Sequence, residues 1–248
     1  MKAWQIFTHS VRQVFGNFND ALRISGLIYI VQMMIAVALG GMGISPGNTL
    51  EPTVGVAFGA LFASLAFLIG SLWIAVSWHR FVLRAEGQHS LVPPFHGAKI
   101  GAYFVKSLQI GLIAAIVGFA LASLIGTLVL SALGQTVFAG MLVIFLTLVP
   151  VLAIVNRFSA ILPGIALGEK LTLTDGWRAT AGDGVTMLQL AAIVAFCSLL
   201  LGLPLEALTP GSIPSLLAEV VLGWVQVMVG VSILTTLYGH YIEKRSLV

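Results

Sequence analysis

Arg157, Lys170 and Arg178 fall within one short stretch, RFSAILPGIALGEKLTLTDGWRATAG (residues 157–182). Cations gathered this way offer several N–H donors to a single anion, and the chemistry they suggest is the capture of a lipid phosphate. The same residues have an architectural reading. Thr172 followed three residues later by Asp175 has the spacing of a capping box, Thr174 is a rival N-cap, and Asp175 suits a helix N-terminus through the dipole. Trp177 then sits at headgroup depth, and Arg178 pairs with Asp175, Glu169 or a phosphate.

The other reactive side chains give little more. Of the five histidines, His9, His79, His89, His96 and His240, the pair His79 and His240 closes two apolar runs at similar depth. They are the pair placed to face one another across a metal or haem. No H-E-x-x-H or C-x-x-C-H spacing accompanies them, so no metal and no cofactor is expected. Asp175, Asp183 and His96 are the groups from which an acid–base set would have to come. They have no nucleophile–base–acid arrangement, and the chain is not expected to be an enzyme. Cys197 is the single cysteine, which rules out an intrachain disulfide and reads as a small packing residue.

The elements that must hold these residues are membrane spans. The chain is 58% hydrophobic and 8% charged, whereas soluble domains carry roughly a quarter charged residues. Six apolar runs of spanning length lie near residues 24–43, 54–78, 108–130, 137–155, 185–205 and 216–238. None contains Lys or Arg, and only Glu219 places an acid inside one. The expected fold is therefore an all-α polytopic membrane protein of six transmembrane helices.

Charge orients the spans. The connections GGMGISPGNTLEPTVG, LSALGQT and PLEALTPGSIPS contain no base, and all 12 Lys and Arg residues lie on the opposite side. The positive-inside bias places both termini in the cytoplasm, with three short external loops. The net charge of +3 thus reflects topology and attraction to anionic lipid, and nucleic acid is not expected as a partner. No cleavable signal peptide is expected, because the first apolar run follows an amphipathic stretch rather than a short basic leader.

That stretch carries Trp4, Phe7, Val11, Val14, Phe15 and Phe18 at helical spacing, with Thr8, His9, Arg12 and Gln13 between them. It predicts an interfacial helix with its aromatics toward the acyl chains, ending near Gly16. Residues 10–25 align with residues 176–191, matching Arg12 with Arg178, Gly16 with Gly182 and Leu22 with Leu188. HGAKIGAYFVKSL, after Pro93-Pro94, occupies the equivalent place before the third span. The expectation is one membrane domain over 1–248, with three units near 1–85, 93–156 and 172–245. Each unit would be an interfacial helix on the cytoplasmic side followed by a helical pair.

Arg157-Phe158, Leu162-Pro163, the turn from Leu171 to Asp175, and Gly176-Trp177-Arg178-Ala179-Thr180-Ala181-Gly182 carry a resemblance, joined by Leu237-Tyr238-Gly239-His240. This pattern resembles a broad group of bacterial multi-span inner-membrane proteins related to the membrane domain of glycerophosphodiester phosphodiesterases. In those enzymes a separate soluble domain carries catalysis. The resemblance therefore implies membrane topology without an activity.

Polar residues inside the spans are sparse: Gln32, Ser71, Thr127, Thr147, Ser198 and Gln226, with Pro150 able to kink the fourth span. Small residues line two spans, Gly55, Gly59, Ala63, Ala66 and Gly70 in the second, and Gly111, Ala115, Gly118, Ala122 and Gly126 in the third. Such ridges let helices approach closely, within the bundle or against another membrane protein. Two functions stay open. One is a non-catalytic membrane protein that packs against, assembles or organises lipids or other membrane proteins. The other is a small transporter or channel for an apolar or lipid-like solute.

Overall fold

A computed structural model describes residues 1–41, 54–86, 92–209 and 211–247. The Glu51 loop and His89 lie outside the described residues. Among those described, nine helices and no strands are found: α1 (Lys2–Gly16), α2 (Phe18–Gly41), α3 (Val54–Arg84), α4 (Gly97–Leu133), α5 (Val137–Ser159), α6 (Leu162–Leu167), α7 (Leu173–Ala179), α8 (Gly184–Glu206) and α9 (Ile213–Tyr241). Six of them, α2, α3, α4, α5, α8 and α9, are long and apolar enough to cross a membrane. The fold is an all-α polytopic membrane fold.

Local chemistry sets the breaks. α1 ends at Gly16 and the chain restarts at once into α2. Thr136 caps α5 by accepting the Ala139 N–H at 3.1 Å, and Ser212 caps α9 by accepting the Ser215 N–H at 3.3 Å. Pro150 lies inside α5 without ending it. The middle amphipathic segment differs from expectation. HGAKIGAYFVKSL is no separate interfacial helix but the opening turns of α4, one unbroken helix of 37 residues. Pro93 and Pro94 stop the chain upstream, and nothing between Gly97 and Leu108 interrupts the hydrogen-bond ladder. Phe95 meets Trp73 edge-on at 5.0 Å, which seats this turn against α3.

All the Lys and Arg residues lie on segments at one end of the bundle, called here the basic end; the base-free connections mark the far end. The buried core is concentrated towards the basic end. Ala3, Ile6 and Val14 of α1 join Met187, Leu190 and Leu237 in being wholly buried, so α1 packs against α8 and α9. One stripe docks into the bundle, while Trp4 and Phe15 stay exposed. Hydroxyls bind the seam: Ser10 donates to the Ile6 carbonyl (2.8 Å) and lies 2.9 Å from the Thr236 hydroxyl. Ser232 donates to Gln13 at 2.6 Å.

Lys2 fixes the start of α1 to the start of α8 by donating to Asp183 at 2.8 Å. That bond holds the Asp183 carboxyl below the usual carboxylate range. Because the folded-state pKa is the lower one, the stabilisation is present above the ordinary Asp value of about 3.9 and is lost as pH falls through the depressed value. Melting curves recorded from pH 7 to pH 3 should show a loss at the acid end that Asp183→Asn removes. The pair is partly solvated, so the effect is about 0.2–1 kcal/mol.

The small-residue ridges serve two ends. A methyl at Gly118 would touch Val151 at 3.6 Å and one at Gly126 would touch Val143 at 3.9 Å, so this part of the ridge packs α4 on α5. Gly70 backs onto Gln32 and Ile28 of α2, where Gln32 donates to the Phe67 carbonyl (2.6 Å) and to Ser71 (2.9 Å). A methyl at Gly55, Gly59 or Gly111 would meet nothing within 4 Å.

Candidate functional site

At the basic end the chain turns back under the bundle as α6, six residues that are all buried. Pro163 suits the first turn, where its missing N–H costs nothing. The C-terminus needs partners for its free carbonyls, because a buried unsatisfied carbonyl costs about 1–3 kcal/mol. Gly168 supplies the first by taking a left-handed conformation (φ 95°), from which its N–H reaches the Ile165 carbonyl at 3.0 Å. Glu169 N–H bonds the Gly164 carbonyl at 2.9 Å.

Three cations complete the cap. Arg80 and Arg84 come from α3 and Lys99 from α4. Arg80 donates to the Ala166 carbonyl at 3.4 Å, Arg84 to the Leu167 carbonyl at 3.1 Å, and Lys99 to that same Leu167 oxygen at 3.4 Å. Positive charge at a helix C-terminus also complements the dipole. Arg80 is buried, and its fork is held by Glu86, with Nε to Oε2 at 2.9 Å. Glu169 in turn accepts the Tyr238 hydroxyl at 2.7 Å, which joins α9 to this centre.

The three site residues chosen from sequence take different places. Arg157 leaves α5 to clasp α7: its Nε donates to the Thr180 hydroxyl and its Nη2 to the Trp177 carbonyl, both at 3.1 Å. Its guanidinium also lies 3.5 Å over the Trp177 ring. These bonds leave Arg157 largely committed to holding α7 against α5. Thr172 is the N-cap of α7, and the Asp175 carboxylate accepts its N–H at 2.7 Å and its hydroxyl at 2.6 Å. Those bonds, the hydroxyl's first, lower the Asp175 pKa. Thr174 lies inside the helix, with its hydroxyl 2.8 Å from that of Thr172. Arg178 is an exposed residue in the last turn of α7.

Lys170 lies elsewhere. It lines an open pocket of about 440 Å³ between the start of α4 and the α6–α7 turn, together with Lys99, Lys106, Gly168, Glu169 and Thr172. Arg157 and Arg178 are not part of that lining. The sequence alone offers Lys99 and Lys106 only as markers of sidedness. The signal that could have found them is the spacing of Lys99, Ala102 and Lys106, which places all three on one face of a helix.

His79 and His240 do not face each other across an ion. His79 is wholly buried between Thr235 of α9 (Nδ1 to Oγ1, 2.8 Å) and Tyr103 of α4 (Nε2 to the hydroxyl, 3.1 Å). Thr235 gives its own proton to the Val231 carbonyl at 3.0 Å. The neutral ring must then donate from Nδ1 to Thr235 and accept at Nε2 from Tyr103. His240 instead lies 3.1 Å from the Arg245 carbonyl and packs against the ring of Tyr241. No group of three or more His, Cys, Asp or Glu residues suited to a metal is found among the described residues. Tyr103→Phe should leave the buried Nε2 without a donor. The expected cost is about 1–3 kcal/mol, read as a lower melting temperature, with Phe104→Leu on the same helix as the packing control.

Asp175, Asp183 and His96 are held by different elements: the α7 cap, the Lys2 pair and the α4 N-cap. The arrangement binds helices to one another and leaves three lysines lining one pocket. Comparison with protein-family models, curated proteins and solved structures gave no match.

Proposed function

We propose that this is a non-catalytic protein of the bacterial inner membrane, with both termini cytoplasmic, that packs against and organises lipids and other membrane proteins. The resemblance to the membrane domain of glycerophosphodiester phosphodiesterases belongs to the same proposal. The observation that carries it is the distribution of the core. Only 6% of the apolar window of α4 is buried, against 39% for α9. Towards the far end, Phe58 and Phe62 of α3, Phe119 and Leu128 of α4, and Leu199 of α8 are exposed. An apolar groove of about 460 Å³ opens between α8 and α9, with Phe7, Val11 and Phe15 of α1 at one side. Inside a bilayer such surfaces must be covered by acyl chains or by another span.

Extraction into lipid nanodiscs followed by native mass spectrometry tests this directly. Retained lipid, or a stoichiometric second membrane protein, is the expected result. A chain recovered alone, monodisperse and lipid-free counts against the proposal. Protein-dependent flux of an apolar solute across sealed vesicles would replace it with the transporter reading.

Orientation has its own test. In a Cys197→Ser background, a membrane-impermeant maleimide should label Thr209→Cys in intact spheroplasts, and label Ser246→Cys only after permeabilisation. The reverse pattern would invert the topology.

A further inference from the structure

We propose that the lysine pocket between α4 and the α6–α7 turn binds a phosphate-bearing anion, a lipid headgroup or free phosphate. This deepens the organising role just given and rests on it for the lipid source. Lys99 and Lys106 project from α4 at a spacing that stacks them on one face, and Lys170 closes the pocket from the opposite wall. Ala98 and Ala102 keep the floor between them low. The volume of about 440 Å³ exceeds what one phosphate needs and suits a phosphate with its attached glycerol.

The charges in the pocket do not cancel. Three ammonium groups face one carboxylate, Glu169, and one oxygen of that carboxylate already accepts the Tyr238 hydroxyl. Lys99 is tethered to the Leu167 carbonyl, while Lys106 and Lys170 make no hydrogen bond or ion pair among the described residues. Lys106 is partly buried nonetheless. Neither ammonium is held by a protein acceptor among the described residues, so both are available to an incoming anion. Three point donors on two walls suit the several oxygens of a phosphate better than the two of a carboxylate.

Full-length protein in phosphatidylcholine nanodiscs provides the test, with two probes. In the first arm a fraction of phosphatidylglycerol is added and the preference of retained lipid is counted by native mass spectrometry. In the second, inorganic phosphate is titrated calorimetrically with no anionic lipid present. Lys106→Gln/Lys170→Gln should reduce binding of the responding probe at least about fivefold, the scale of a single Lys at an anionic surface. The Lys106→Arg/Lys170→Arg pair should retain it, and Arg178→Gln should not change it. A response to phosphatidylglycerol alone assigns a lipid headgroup; a response to inorganic phosphate assigns a soluble anion. The proposal is overturned if neither probe separates wild type from the Gln pair, or if Arg178→Gln costs as much. Either result leaves the search for membrane partners unaffected.

Discussion

Gly176→Ala is expected to lift α7 from the end of α5 and to lower the stability of the folded protein by about 1–3 kcal/mol. A methyl at this buried position would stand 2.8 Å from the Arg157 carbonyl oxygen, 3.0 Å from that of Phe158 and 3.1 Å from Ile161 Cγ2. Two of these neighbours are backbone, in the last turn of α5, so no side-chain rotation relieves the clash. Intrinsic preference works the other way, since Ala gains about 1 kcal/mol over Gly within a helix. The clash should win, because relief requires moving either α5 or α7. Movement of α7 would also stretch the Arg157 bonds to Thr180 and to the Trp177 carbonyl. Thermal unfolding in detergent gives the readout. Gly111→Ala, where a methyl meets nothing within 4 Å, is the control, expected to keep stability or raise it by up to about 1 kcal/mol. A Gly176→Ala protein as stable as wild type would show that α7 is not seated as described.

The same clasp shows what the sequence made legible. The capping box of Thr172 and Asp175 could be read from three residues of spacing, because a cap is a local bargain between a side chain and nearby N–H groups. The six spans could be read because apolar length is itself the physical requirement. The role of Arg157 could not, since its partners Trp177 and Thr180 lie 20 and 23 residues away and are reached only after α6 has turned the chain back. Arg80, Arg84 and Lys99 were hidden for the same reason. Their shared purpose is to cap a helix more than 60 residues further along the chain. Sequence charge located the basic end correctly but could not divide it. Arg157 serves packing, Lys170 lines a pocket, and Arg178 is left exposed. The continuity of α4 was obscured by an apparent repeat, because likeness to the stretch before α2 says nothing about whether a break follows.

Arg80→Met is expected to have the other large effect, and to act on the pocket as well as on stability. The arginine is 8% exposed and joins Glu86 to the Ala166 carbonyl. Glu86 is 37% exposed at its side chain and can recover water, so the ion pair itself contributes less than a fully buried one would. The carbonyl cannot recover water, because α6 is buried throughout. Losing a charge-assisted bond there should cost about 1.5–3 kcal/mol. Arg84→Met removes a donor from Leu167, whose oxygen still has Lys99, and should cost less. The turn after α6 forms one wall of the lysine pocket, so a loosened α6 should displace Lys170 from Lys99 and Lys106. Arg80→Met should therefore lower both the melting temperature and the binding of the anionic probe. The Lys106→Gln/Lys170→Gln pair should lower binding with little change in melting. If Arg80→Met weakened neither, α6 would be held by apolar burial alone, and the convergence of three cations on its C-terminus would have no energetic consequence.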